Sequence, residues 1–166
     1  MKRLLLIVAL VGCSTPEPGP EREPCDAGFE DEFTIGTMIV DQSGRSFVPY
    51  AEGCNTVEVV TGIQGGWHVE PGIGAPRGES TDTLDGTFSF VVKDGQTILT
   101  EEATFRLEPR FWQPTVEGFV YWGDAIVLNA YPEMGPYTLE ATIEVDGETV
   151  TISADIELVD EEEEGG

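Results

Sequence analysis

Basic side chains are scarce in this sequence: eight Lys and Arg stand against 32 Asp and Glu, for a formal net charge of −24. Nucleic acid is excluded as a partner, because binding a phosphate backbone requires Lys and Arg to displace its counterions. Adhesion to an anionic membrane surface is disfavoured on the same ground, whereas solubility is served. Histidine is scarcer still. His68 stands alone, so a typical zinc or copper site has no second histidine to complete it. Long apolar runs are missing as well: Leu4 to Leu10 is far short of the ~20 residues that cross a bilayer as a helix. No segment has the periodicity of an amphipathic helix. No nucleophile elbow surrounds Ser46, Ser80 or Ser89, and Gly62, Gly65 and Gly66 lack the lysine and helix of a phosphate loop. Acids are so abundant that a carboxylate pair carries no information about glycoside hydrolysis. No catalytic residue, metal site or cofactor is expected.

What is present begins with Lys2-Arg3, the apolar run Leu4 to Leu10, and Leu10-Val11-Gly12-Cys13. A basic start, a short apolar core and a small residue before the break have the form of a secretory signal peptide. The last four residues resemble the lipobox of bacterial lipoproteins. That resemblance implies a diacylglyceryl group on Cys13, cleavage just before it and acylation of the new amino terminus; the alternative is a soluble secreted protein in which Cys13 lies near the cleavage point by chance. Each buried methylene contributes ~0.8 kcal/mol, so one chain holds marginally and two or three hold firmly. Ser14 follows the cysteine where an Asp would favour the inner membrane, so by the same resemblance the expected site is the cell envelope, with the outer membrane favoured over the inner. Removing residues 1–12 leaves 154, enough for one domain with a core, and takes the charge to −26 through loss of Lys2 and Arg3.

Of the three cysteines, one is the expected lipid carrier, and the other two, Cys25 and Cys54, are expected to close a disulfide in an oxidising compartment. On chain-entropy grounds a loop of about thirty residues contributes roughly 3–4 kcal/mol, less any strain. Residues 13–24 follow the lipid site as a tether, whose stretch Ser14 to Pro24 holds four prolines and three glutamates. It stays extended, at about 3 Å per residue, and holds the domain ~30 Å off the membrane. Residues 25–159 are expected to form the domain, and 160–166 (DEEEEGG) an acidic tail.

Within the domain, period-two patterning dominates. Tyr137, Leu139, Ala141, Ile143 and Val145 alternate with polar residues, and after Asp146-Gly147 the pattern resumes at Val150, Ile152, Ala154, Ile156 and Leu158. A two-residue Asp-Gly loop sets the pairs Ile143 with Val150, Ala141 with Ile152, Leu139 with Ala154 and Tyr137 with Ile156, all apolar on one face. Further strands are expected over 33–40, 56–63, 67–73, 86–92, 97–107, 116–122 and 125–131. Asp94-Gly95 suggests a second hairpin, but a two-residue register there pairs Phe88 with Glu101, which calls for a bulge or a longer loop. Pro109, Pro114 and Pro132 mark loops or edges. About nine short strands with Gly, Pro and Asp between them predict an all-β, antiparallel, immunoglobulin-like β-sandwich, with a closed β-barrel as the alternative.

Candidate recognition residues are Trp67, His68 and Trp112. Gln64-Gly65-Gly66-Trp67-His68-Val69 is the most distinctive peptide. From about Phe47 to Gly74 the chain resembles uncharacterised lipid-anchored and secreted bacterial proteins in which a Gln-Gly-Gly turn leads into an aromatic and a histidine, and the resemblance implies no activity. Paired glycines permit positive backbone dihedrals or close approach of another strand, and in a strand Trp67 and His68 point to opposite faces. His68 is then either a hydrogen-bonded strand histidine or a metal ligand or acid–base group. Trp112 and Trp122 either fill the core or stack on a ligand, and Trp112, between prolines, is expected to be the more exposed. The function expected is a non-enzymatic structural or protein-interaction module, partnered by the membrane through its lipid and by an envelope protein. A module binding carbohydrate or calcium is the alternative.

Overall fold

The computed structural model describes residues 32–42, 44–62, 65–76, 84–115 and 118–160. The expected leader, lipidated Cys13, tether and Cys25 lie outside them. Thirteen strands follow in order: β1 (Thr34–Asp41), β2 (Gly44–Pro49), β3 (Thr56–Thr61), β4 (Trp67–Val69), β5 (Gly72–Gly74), β6 (Gly86–Asp94), β7 (Thr97–Ile98), β8 (Phe105–Leu107), β9 (Trp112–Pro114), β10 (Phe119–Tyr121), β11 (Ile126–Leu128), β12 (Gly135–Val145) and β13 (Glu148–Asp160). A single 3₁₀ turn, Pro109–Phe111, is the only helical segment among the described residues. The fold is all-β in two sheets, ordered β2-β1-β5-β10-β9 and β11-β4-β3-β13-β12-β6-β7, with β8 also on β6.

The β12–β13 hairpin is the axis of the larger sheet. Its register contains the four apolar pairs expected from the sequence. Asp146 and Gly147 both have positive φ, 55° and 81°, as a two-residue turn matched to strand twist requires. On β12, Leu139, Ala141 and Ile143 are buried and meet Phe88, Phe90 and Val92 of β6. Ile35, Ile73, Trp112 and Tyr121 of the smaller sheet share that core, so the sheets are packed face to face.

Several strands depart from expectation. The stretch 67–73 is two strands, because Pro71 has no N–H to continue the ladder and the chain crosses from one sheet to the other at Glu70-Pro71. Its partner does the same between β10 and β11, so one bent antiparallel ribbon spans both sheets: Gly74 and Ile73 on Val120 and Tyr121, then Val69, His68 and Trp67 on Ile126, Val127 and Leu128. Residues 97–107 are likewise broken into β7 and β8. Asp94 pairs with Thr97, placing Gly95-Gln96 in the turn, whereas Phe88 pairs with Phe105, two residues out of that register. The irregularity foreseen after Asp94-Gly95 is therefore real. In the excursion Thr100 bridges Leu128, Glu101 N–H donates to Val127 O, and Asn129 N–H donates to Leu99 O. Those contacts join the two ends of the larger sheet, which gives the sandwich a barrel-like half and removes exposed edges. The pairing is not wholly antiparallel, since β13 runs parallel to β3. β13 also continues through Asp160, which accepts a hydrogen bond from the Tyr131 hydroxyl, one residue past the expected end of the domain.

β2 and β9 were not foreseen as strands. β2 is held by Phe47, whose ring lies over Gly36 and Gly72, where only hydrogen occupies the space. Phe47, Val120 and Trp122 form a small second core on the other face of the smaller sheet. Across that face Arg45 of edge strand β2 donates to Gln113 Oε1 of edge strand β9 at 2.7 Å, so this sheet too is strongly coiled.

Candidate functional site

Two depressions adjoin on the outer surface of β3, β4 and β11. Val60, His68 and Val127 form one cross-strand row, while Val59, Val69 and Ile126 point inward and are buried. His68 Nε2 lies 3.2 Å from Glu70 Oε1, two residues along and hence on the same face. Its ring lies near Gly62, where an added Cβ would be 3.6 Å from Nδ1. The loop between them is closed by Gly62 N–H to Gly66 O at 2.8 Å, with Gly65 at φ 83°; Gln64 lies outside the described residues. Trp67 points the other way, caps the core and meets Tyr131 edge-on at 5.4 Å. A depression of about 670 Å³ lies over Thr61, Gly66, Trp67, His68 and Val127.

A cavity of about 580 Å³ lies beyond Val60 and Glu70, under the overhanging end of β1. Thr37 to Val40, Tyr50, Thr56 to Glu58 and Trp122 complete its lining. Trp122 Nε1–H donates to Glu70 O at 3.2 Å, fixing the bend of the ribbon. Val60 belongs to both depressions, so the His68–Glu70 pair stands at their junction. Around it Val40 is 62% exposed, Ile39 45% and Val127 40%. The pair is a hydrogen-bonded unit with no third partner suited to a metal: among the described residues no group of three His, Cys, Asp or Glu side chains comes together as a metal site.

The structure brings Trp67 and His68 to one depression and places Trp112 elsewhere. Contrary to expectation Trp112 is only 7% exposed, because β9 pairs with β10 and puts it in the inward row with Tyr121, Ile73 and Ile35. A flanking proline marks the sheet edge without saying which face a neighbour takes. Glu70, Tyr50 and the β1 end were not singled out by the sequence. Glu70 was legible as the i+2 neighbour of a strand histidine; the β1 overhang is non-local. Cys54 is disulfide-bonded, and its partner lies outside the described residues.

All four tyrosines are shifted to ionise above the ordinary value of 10.0. Burial is the leading cause at Tyr50, Tyr121 and Tyr137, and the hydrogen bond to Asp160 at Tyr131. A phenol harder to ionise when folded keeps its full stabilising contribution below the unfolded value and loses it above, where the unfolded chain ionises first. Stability is therefore expected to be insensitive to these groups below pH 10 and to fall above it. In an alkaline titration the phenolates of Tyr50 and Tyr121 should appear only together with loss of near-ultraviolet circular dichroism; more than the two phenolates of Tyr131 and Tyr137 near pH 10 in a still-folded protein would contradict the burial of Tyr50 and Tyr121.

No protein-family model and no curated protein matches the chain.

Proposed function

We propose that the chain is a lipid-anchored protein of the cell envelope, carried by lipid on Cys13 in the outer membrane, and that its domain is a non-enzymatic protein-interaction module. The observation that carries the interaction reading is the pair of adjoining depressions at His68–Glu70, with Ile39, Val40 and Val127 exposed beside them. Exposed apolar residues that cluster beside cavities are where partners dock. Glu58 and Glu70 border them in a chain of net charge −24, so the complementary partner is a cationic segment with apolar side chains. In this reading the anchor and the tether 13–24 hold the module off the bilayer, and a Cys25–Cys54 disulfide ties the start of the domain to the loop before β3.

Two measurements test this. The intact mass of protein extracted by detergent from its own membranes should equal residues 13–166 plus two or three acyl chains and rise by about two daltons on reduction. An unacylated mass in the soluble fraction would remove the anchor. A photo-crosslinking side chain at position 127 should give a discrete adduct in intact cells that weakens with salt, as a charge-steered contact does. The same group at position 142, on the outer face of the β12–β13 hairpin, should give none. Equal labelling at both positions, or none at either, would overturn the docking face.

A further inference from the structure

β1 is longer than the strand beside it. β5 pairs with Thr34, Ile35 and Gly36, and β2 pairs on the opposite side with Gly36 through Asp41. Among the described residues nothing pairs with Thr37 to Asp41 on the β5 side, because the β4–β5 ribbon crosses to the other sheet at Glu70-Pro71 while β1 runs on. Backbone N–H and C=O groups of successive strand residues point to opposite sides. Tyr50 N–H donates to Ile35 O at 3.0 Å, so Ile35, Thr37, Ile39 and Asp41 are turned toward β2, and Gly36, Met38 and Val40 away from it. Gly36 is met by Gly72, whereas Met38 and Val40 open on the cavity of about 580 Å³ beneath the overhang. A strand edge of this kind accepts a further strand.

The surroundings of the edge narrow its occupant. Met38 lies opposite Phe47 on one face of the β1–β2 pair, and Phe47 packs with Trp122, so one side of the edge is apolar. Glu58 and Glu70 place carboxylates in the rest of the lining. The chain's own ends suit neither side: Ser14 to Pro24 holds four prolines, which lack N–H groups, and three glutamates, and residues 161–166 hold four more glutamates. A second copy would bring the same net charge of −24. We infer that a partner protein adds an extended segment of about five residues to β1, exchanging main-chain hydrogen bonds with Met38 and Val40, its side chains alternately apolar and cationic. The inference rests on the reading of this face as a docking site and assigns the contact to the main chain of β1.

The test follows amide hydrogen exchange by NMR on the full chain in detergent, at about 0.15 M salt to screen unspecific attraction. Capped peptides alternating Lys with Val, and Lys with Phe, are the probes, and one alternating Glu with Val is the acidic comparison. Before addition, the Met38 and Val40 amides should exchange faster than those of Thr37 and Ile39, which β2 holds. At least one Lys peptide should slow exchange at Met38 and Val40 saturably, by about tenfold or more, and the Glu peptide should not. N-methylation of the peptide on the alternate residues whose N–H groups face β1 should weaken binding by about tenfold or more, and on the other set should leave it within about twofold. Val40→Pro removes a donor that β2 does not use, so the β1–β2 ladder should survive by near-ultraviolet circular dichroism while protection at Met38 is lost; Val40→Thr, which keeps the N–H, should still bind. Absence of saturable protection with both Lys peptides, equal effects of the two methylation patterns, or undiminished binding by Val40→Pro would each overturn strand addition, and each is compatible with a crosslink from position 127. Failure of that crosslink is the separate result that removes the docking face itself.

Discussion

Replacing Phe88 by Ala is expected to cost about 3–5 kcal/mol, the range for truncating a fully buried aromatic ring. The side chain is 2% exposed and sits where the sheets meet. It stacks on Phe105 at 5.2 Å within its own sheet and meets Tyr121 of the smaller sheet edge-on at 5.0 Å. Ile143 lies beside it on β12. No neighbour can collapse into the space without leaving the sheet that holds it, so the cavity term persists. Against a total stability of about 5–15 kcal/mol for a domain, the loss amounts to a fall in Tm of about 6–20 °C at ~2–4 °C per kcal/mol. Urea unfolding should show a lowered midpoint with an unchanged slope. Phe111→Ala, which truncates a ring 45% exposed at a rim, should cost far less. A Phe88→Ala loss below about 1 kcal/mol would mean that the sheets are not joined through this ring.

Phe88 was legible as a core residue because β6 alternates cleanly, and the same is true of most of the larger sheet. The β12–β13 register was readable to the residue, since alternation and the Asp146-Gly147 turn specify it independently. Legibility failed where a segment's fate depends on distant chain. Trp67 to Ile73 looks continuous, and Pro71 shows that the ladder stops, but nothing local says that the next residues join another sheet. That choice is made with the matching bend at Gly123-Asp124, some fifty residues on. Gly44 to Pro49 begins with polar residues and offers a weak pattern. Its burial comes from the space that Gly36 and Gly72 leave for Phe47.

The candidate site divides along the same line. Trp67 and His68 stood out because two glycines before an aromatic and the only histidine make an unusual peptide, and they do border a depression. The second cavity is built from the ends of β1, β3 and β4 with Trp122, which no single stretch of sequence brings together. The fates of the two later tryptophans were hidden by arithmetic of another kind: Trp112 lies on β9 and Trp122 one residue past the end of the adjacent β10, yet the first turns into the core and the second lines a cavity. In a pairing whose register is unknown, alternation cannot assign the faces.

Gly86→Ala is expected to be at least as damaging as a core truncation, although it adds only a methyl group. Gly86 is paired on both sides, with Val145 of β12 and Leu107 of β8. A Cβ there would overlap the carbonyl oxygen of Glu144, whose carbon would lie 3.0 Å away, with Val145 Cγ2 at 3.1 Å. The obstacle is backbone, and it cannot rotate aside. Glu144 is held in turn between Thr87 and Thr149, so relief requires β12 to shift against both neighbours. Overpacking that forces backbone movement costs about 1–3 kcal/mol and occasionally more, and a displacement shared by three strands belongs at or above the top of that range. Gly147→Ala is the comparison. There φ is 81° and the space is open, so only the left-handed conformation is penalised, by about 1 kcal/mol. If urea midpoints ranked the two equally, the strands could not approach at Gly86 as closely as described. If Gly86→Ala is the worse by about 2 kcal/mol, the sequence position that reads merely as the start of a strand is one where no side chain is admitted.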